Sequence, residues 1–113
     1  MVTTESRTEI QGGGNLSVTT DGAVMRIFVE GVLDAVTAPE VKVALELLVT
    51  CKPSRVIVDL SRLRIIDGHG VRTLAQLYAR LRADGCDLSV TGAEQQPLAM
   101  LKLFQLDRVL TAG

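Results

Sequence analysis

The sequence predicts an α/β domain. A small mixed β-sheet begins with an N-terminal antiparallel hairpin, continues through parallel βαβ crossovers, and packs against about three main helices. Three observations favour this class. A length of 113 residues suits one domain with one core. Strand-like runs alternate with helical patterns, and such βαβ connections require parallel neighbours. With 47% hydrophobic and 22% charged residues, the chain can build a core beneath an ordinary polar surface.

The first predicted element is a β-hairpin. Residues 1–14 are polar and end in three glycines, which favours a flexible N-terminal tail ahead of a domain at residues 15–113. Residues 16–20 and 24–30 have strand-like composition, and the Asp21-Gly22 dipeptide between them tolerates the positive φ of a tight turn. The sheet is therefore expected to open with two antiparallel strands.

A first helix is predicted over residues 38–51. Thr37 stands three residues before Glu40 with a proline between them, the pattern of a capping box. The apolar positions with helical spacing are Val41, Ala44, Leu45 and Leu48. Val43 and Leu47 widen this stripe, so the helix is expected either to be buried within the domain or to be partly covered by another chain.

The rest of the chain alternates strand and helix. The apolar run at residues 56–58 is typical of a central strand covered on both faces. A second helix is predicted at 68–84 with Gly85 ending it, then a strand at 87–91 and a last helix at 95–109. The side chains expected in the core from these two helices are Val71, Leu74, Leu77, Tyr78, Leu81, Leu98, Leu101 and Phe104.

Charge and hydropathy argue against several functions. Twelve basic and thirteen acidic residues give a formal net charge of -1, so no direct nucleic-acid partner is predicted. No apolar stretch approaches the roughly 20 residues that cross a bilayer, so no membrane insertion is predicted. The N-terminus lacks the pattern of a secretory signal, which predicts a cytoplasmic protein.

The sequence offers little chemistry for catalysis or metal binding. Cys51 and Cys86 are widely spaced and His69 is the only histidine, so no metal site is predicted. The cysteines are expected to be reduced and structural, with a redox pair as the alternative. Neither a phosphate-binding loop with lysine nor a nucleophile elbow is present, so we predict no catalytic residue, no cofactor and no enzyme activity.

Three segments, in order, resemble the STAS family, the sulfate transporter and anti-sigma-factor antagonist domains. They are Gly31-Val-Leu-Asp34 leading to Thr37-Ala38, then Val56-Ile-Val-Asp-Leu-Ser61 running to Ile66-Asp-Gly-His-Gly70, and Leu101-Lys-Leu-Phe-Gln-Leu-Asp-Arg-Val-Leu110. The resemblance implies a domain that docks on a protein partner. In the best-known branch the partner is an anti-sigma factor of the serine-kinase type, and binding regulates sigma-factor-dependent transcription.

The likeness departs from the family at the residue that normally switches binding off. In this branch the loop before the second helix typically reads Asp-Ser-Ser-Gly or Asp-Thr-Ser-Gly, and the hydroxyl after the aspartate accepts a phosphate. Here the loop reads Asp67-Gly68-His69-Gly70, so glycine occupies the acceptor position. Either the switch has been lost, or it lies at another hydroxyl such as Ser61 or Thr73.

The resemblance places partner binding on this loop and on the outer face of the second helix. The predicted partner-binding residues are Asp67, Gly68, His69, Gly70, Arg72, Thr73 and Gln76. Structural alternatives stand beside this prediction. Asp67 is expected to cap the helix, the two glycines could form only a permissive turn, and His69 could be a plain loop residue. The polar face of the helix, which includes Arg80, could simply be solvated.

Other functions fit the same resemblance. The domain could be a cytosolic STAS subunit of a membrane lipid transporter, where it would stabilise an ATPase partner. It could also sense a small ligand or nucleotide, and it could form a homodimer. A partner recovered with the chain would separate the first two functions, and a rise in thermal stability with nucleotide would indicate the third.

Overall fold

A computed structural model describes residues 16–106, which form six strands and three helices. The strands are β1 Leu16–Asp21, β2 Val24–Val29, β3 Gly31–Leu33, β4 Arg55–Asp59, β5 Leu63–Ile66 and β6 Asp87–Thr91. The helices are α1 Ala38–Val49, α2 Gly68–Ala83 and α3 Gln95–Leu103. The predicted tail at 1–14 and the end of the predicted last helix, at 107–109, lie outside the described residues.

The main sheet has four strands in the order β1-β2-β4-β6. β1 and β2 form the predicted antiparallel hairpin, with Gly22 at a φ of 62° in its turn, and the other neighbours are parallel. These pairings confirm the predicted mixed α/β fold. β4 is central, as predicted, but Val56 and Val58 are buried while Ile57 between them is only half-buried. The prediction that both faces of β4 are fully covered was therefore wrong.

A second, two-stranded sheet was not predicted. β3 pairs in parallel with β5, and the Gly31 N–H donates to the Arg62 carbonyl at 2.9 Å just outside the ladder. β3 leads into α1 and β5 leads into α2. The small sheet therefore brings the beginnings of the two helices to the same end of the molecule.

The start of α1 corrects the predicted capping box. The Thr37 hydroxyl donates to the Val32 carbonyl at 2.9 Å and accepts from the Asp34 N–H at 3.0 Å. It makes no hydrogen bond to an N–H of the helix. Thr37 therefore closes the turn between β3 and α1 instead of capping α1.

The apolar residues of α1 fall into two sets. Those predicted to face the core, Val41, Ala44, Leu45 and Leu48, are buried. Val43 and Leu47 are 60% and 65% exposed, so burial within the domain does not account for them. Of the two arrangements considered for this helix, the one in which the whole apolar arc is internal was wrong.

α2 agrees closely with its prediction, whereas α3 is shorter than predicted. Gly85 follows α2 with a φ of 74°. In α3, Leu101 is fully buried and Leu98 is half-buried. Phe104 was predicted in the core but is 46% exposed, because α3 ends at Leu103 and the chain then turns away.

The beginning of α3 is attached to the end of β5 by one side chain. The Gln96 side-chain oxygen accepts from the Ile66 N–H at 2.9 Å, and its side-chain nitrogen donates to the Ile66 carbonyl at 2.9 Å. The amide group of Gln96 thus completes the backbone hydrogen bonds of Ile66 as a neighbouring strand would. This contact holds α3 beside the loop that precedes α2.

The two cysteines are free thiols, with Cys51 exposed and Cys86 buried. Burial raises the pKa of the Cys86 thiol, and the carboxylates of Asp87 and Asp84 raise it further. Cys86 is therefore a packing residue with low reactivity. Within residues 16–106, no helix combines the length and the apolar character that a transmembrane span requires.

Candidate functional site

Asp67 organises the junction between β5 and α2. Its Oδ1 accepts from the backbone N–H groups of His69 at 2.9 Å and Gly70 at 3.1 Å. Its Oδ2 accepts from the Ala35 N–H at 3.2 Å. One carboxylate therefore caps α2 and also ties that helix to the turn between β3 and α1, which confirms the capping prediction.

The same hydrogen bonds set the protonation behaviour of Asp67. Burial opposes ionisation, but the N–H groups of Gly70, Ala35 and His69 together outweigh it and lower the pKa of the Asp67 carboxyl. The His69 ring, with Nδ1 lying 3.5 Å from Oδ2, acts in the same direction. The junction is thus held by a carboxylate that stays charged at neutral pH.

Replacing Asp67 with alanine is expected to lower the free energy of unfolding by about 2 kcal/mol, because α2 loses its cap. The loss should depend on pH. A carboxyl whose pKa is lower in the folded chain stabilises the fold above its unfolded value of about 3.9, and this contribution disappears as the pH falls through the lowered pKa. Urea unfolding of the parent and of Asp67→Ala, from about pH 7 to about pH 2, measures the free energy of unfolding of each. If the difference in free energy of unfolding between the two chains stayed the same at acidic pH, this role for Asp67 would be contradicted.

The turn opposite Asp67 is fixed by its own aspartate. Asp34 Oδ1 accepts from the N–H groups of Val36 at 3.0 Å and Thr37 at 3.1 Å. These bonds hold Val36 with 81% of its surface exposed beside the junction. Sequence reasoning did not select Val36, although an apolar residue in a turn closed by aspartate and threonine is the signal that could have identified it.

The two glycines of the junction have different roles. A Cβ on Gly70 would lie 2.6 Å from the Leu33 carbonyl oxygen and 2.6 Å from Ile66 Cγ1, so Gly70 is needed for packing inside the chain. It is buried and offers no surface to a partner. Gly68 is exposed, and a Cβ added to it would have the Phe104 ring, at 3.8 Å, as its nearest neighbour. A side chain at position 68 therefore has room.

Four of the predicted binding residues lie together in one shallow depression. Its lining is formed by Asp67, Gly68, His69, Val71, Arg72, Ala75, Phe104 and Leu106. Arg72 and His69 are exposed at its rim. Phe104 also lines the depression. From the sequence, Phe104 was not included in the site because this residue was predicted in the core.

Thr73 and Gln76 lie elsewhere. Both line a groove between α1 and α2, together with Arg80. Thr73 is only 6% exposed, and its hydroxyl donates to the His69 carbonyl at 3.0 Å. Its placement on the exposed polar face was wrong, because α1 covers that side of α2. A buried hydroxyl with a backbone partner is also a poor phosphate acceptor.

Ser61, the other hydroxyl considered as an acceptor, is exposed in the turn after β4. Its hydroxyl donates to Asp59 Oδ1 at 2.6 Å, and its N–H donates to the same oxygen at 2.9 Å. Arg26 pairs with the other oxygen of Asp59 at 3.1 Å. Burial opposes ionisation of Asp59, but the Ser61 bonds and Arg26 lower the pKa of its carboxyl. Ser61 therefore has a clear structural role as a turn residue.

The site contains no arrangement of ligands for a metal. Among residues 16–106, no three histidine, cysteine, aspartate or glutamate side chains are grouped to hold an ion. What the junction offers instead is a surface with the Phe104 ring, the His69 ring, the Arg72 guanidinium and an open position at Gly68. Such a surface is suited to binding another protein.

The family model described as "Mlab, STAS domain" matches residues 16–111. The chain belongs to the STAS family. The match covers both strands of the opening hairpin and the junction before α2. No curated protein matches this STAS domain.

Solved structures of similar fold include an anti-sigma factor antagonist from Mycobacterium paratuberculosis. It is 25% identical, with a TM-score of 0.76 over 84% of this STAS domain and 80% of that chain. A sulfate transporter family protein from Wolinella succinogenes shares the fold at 19% identity, with a TM-score of 0.70 over 82% of this chain and 75% of that one.

A further match is the protein Mglu, which is 30% identical with a TM-score of 0.67. The match covers 79% of this STAS domain but only 22% of the Mglu chain. This STAS domain therefore corresponds to a small part of Mglu. Its likeness to Mglu concerns the domain alone.

Proposed function

We propose that this STAS domain is an anti-sigma-factor antagonist-like interaction module. It binds an anti-sigma factor of the serine-kinase type and thereby regulates sigma-factor-dependent transcription. The likeness to the mycobacterial antagonist supports this function. The observation that carries it is the capped junction Asp67–Gly70, which exposes the family's acceptor position as a glycine.

The binding surface in this proposal is a docking face made of Val36, Gly68, His69, Arg72 and Phe104. Val36 is 81% exposed and Phe104 is 46% exposed, so the face offers two apolar contacts around a backbone held by Asp67. Arg72 adds a positive charge that suits an acidic residue on the partner. In this proposal the domain acts as a regulator that binds another protein, as the likeness to the mycobacterial antagonist supports.

Binding is not switched off at position 68 in this proposal. A phosphate adds about -1.5 to -2 charges, and a helix N-terminus accommodates it, so the modified loop would remain folded while its surface changed. Gly68 has no side-chain hydroxyl to accept that phosphate. The domain is therefore a constitutive binder, in contrast to the family members that carry Ser or Thr at this position.

Restoring a hydroxyl tests this directly. The parent chain is expected to gain no phosphate when mixed with its cognate anti-sigma kinase and ATP, whereas Gly68→Ser is expected to gain one, since position 68 has room for a side chain. Intact-mass spectrometry measures both. Phosphorylation of the parent at Ser61 or Thr73 would show that the switch has moved, and would contradict constitutive binding.

A second candidate is a cytosolic subunit of a membrane transporter, such as a lipid transporter with an ATPase partner. This candidate follows from the family resemblance, and the sulfate transporter family protein contributes only its shared fold. Affinity purification of the full chain from its native cell separates the two functions. Recovery of an anti-sigma factor supports the first, and recovery of transporter subunits in its place would replace it with the second.

A further inference from the structure

The outer side of α1 carries an apolar strip that no other part of the described chain covers. The strip consists of Pro39, Val43 and Leu47, which are spaced four residues apart and are all exposed. Val43 is 60% exposed and Leu47 is 65% exposed. Two large aliphatic side chains on adjacent turns of a helix are a usual feature of helix-to-helix contacts.

Two opposite charges border this strip on one flank. Lys42 and Glu46 are one turn apart and exposed, and neither has an ion-pair partner within residues 16–106. A lysine four residues before a glutamate is the weaker order for a pair within one helix. Arg80 shares the groove beside Glu46, but its ion-pair partner is Asp84 at 3.7 Å.

We infer that two copies of this chain associate through α1 in an antiparallel, two-fold symmetric pair. A two-fold axis perpendicular to the helices keeps the charged flank of one copy facing the same flank of the other. In the register that places Lys42 level with the second copy's Glu46, Glu46 lies level with the second copy's Lys42. Both charges of each helix are then matched.

The same register also packs the strip. The rise along the helix axis is about 1.5 Å per residue. Measured along that axis, Val43 therefore lies midway between the second copy's Val43 and Leu47. It can therefore enter the gap between them as a knob enters a hole. One register thus satisfies the apolar side chains and the charges together, which is why a second copy is the occupant that this surface fits best.

The size of the contact sets its strength. α1 has 12 residues, which correspond to a length of about 18 Å. Stable interfaces usually bury about 800 Å² per partner, and one short helix pair provides less. The dimer is therefore concentration-dependent. It does not rest on the proposed function, because none of the five residues of the docking face lies on α1.

Charge reversal on the full-length chain tests the pairing. Lys42→Glu and Glu46→Lys should each raise the dimer dissociation constant at least about tenfold in sedimentation equilibrium, because each replaces two attractive pairs with two repulsive ones. The double variant Lys42→Glu/Glu46→Lys should restore the parent value. Glu40→Lys, on the other flank of α1, should change it little.

Mixing the two single variants provides the sharper result. Lys42→Glu carries a negative charge at both positions of the flank, and Glu46→Lys carries a positive charge at both. In a mixed pair, both contacts between the helices therefore join opposite charges. The mixture should dimerise about as well as the parent, although each variant alone does not. A parent chain that stays monomeric up to about millimolar concentration, or a mixture that associates no better than its components, would overturn the inference.

Discussion

Replacing Gly70 with alanine is expected to lower the free energy of unfolding by about 3 kcal/mol. The new methyl group would lie 2.6 Å from the Leu33 carbonyl oxygen and from Ile66 Cγ1. Leu33 and Ile66 are fully buried, so neither can move aside without disturbing the core. Overpacking of this kind costs about 1–3 kcal/mol, and the obstacle here includes backbone. Urea unfolding with a fixed m-value measures the change.

Gly68 provides the matched control two residues away. A Cβ at this position meets only the Phe104 ring at 3.8 Å, which is ordinary contact. Gly68→Ala should therefore change stability by less than about 0.5 kcal/mol, or increase it slightly because alanine favours helix. If Gly70→Ala were as stable as Gly68→Ala, the close approach of α2 to β3 would not be a constraint on the fold.

Reversing the charge of Arg72 is expected to weaken binding to the anti-sigma factor at least about tenfold, which corresponds to about 1.4 kcal/mol. Arg72 is exposed at the rim of the depression, so the substitution should leave folding intact. In the complex, an acidic residue of the anti-sigma factor would then face a glutamate in place of Arg72, and the two like charges repel. Isothermal titration calorimetry with the recovered partner measures the affinity.

Gly68→Asp tests the same face by a different change. It places negative charge where related domains carry a phosphate, and the N-terminus of α2 tolerates that charge locally. Affinity should again fall at least about tenfold. Lys52→Glu, an exposed charge reversal beyond the C-terminal end of α1, should bind like the parent. If both docking-face variants bound as tightly as Lys52→Glu, the docking face would lie elsewhere on the molecule.

The elements that could be predicted from sequence are those whose determinants are local. Asp67 caps α2 through N–H groups two and three residues away, and Asp21-Gly22 forms its own turn. In both cases the residues that decide the conformation are adjacent in sequence. The start of α2 and the opening hairpin were therefore predicted correctly.

The small sheet could not be predicted in the same way. β3 has three residues and β5 has four, too few to show a clear period of two. Each exists because the other lies beside it, although about 30 residues separate them. The wrong prediction of a capping box at Thr37 follows from missing β3. The Thr37 hydroxyl donates to the carbonyl of Val32, a residue of that strand.

The candidate site was predicted in part for a related reason. Helical periodicity places Thr73 on the polar side of α2, but the position of α1 decides that its side chain is buried. Periodicity likewise places Phe104 in the core, but α3 ends before it. Asp67, Gly68, His69 and Arg72 were grouped correctly because they belong to one loop and the first turn of the helix that follows it.

The Gln96 contact with Ile66 has a consequence for hydrogen exchange. The Ile66 amide proton is held by a side chain from another element and not by a strand ladder, so it becomes accessible whenever the first turn of α3 detaches. Amide protons in the ladder between β4 and β6, which includes the Val58 N–H, exchange only when the sheet itself opens. Slow exchange at Val58 together with faster exchange at Ile66 would therefore give the free energy of α3 detachment separately from that of global unfolding.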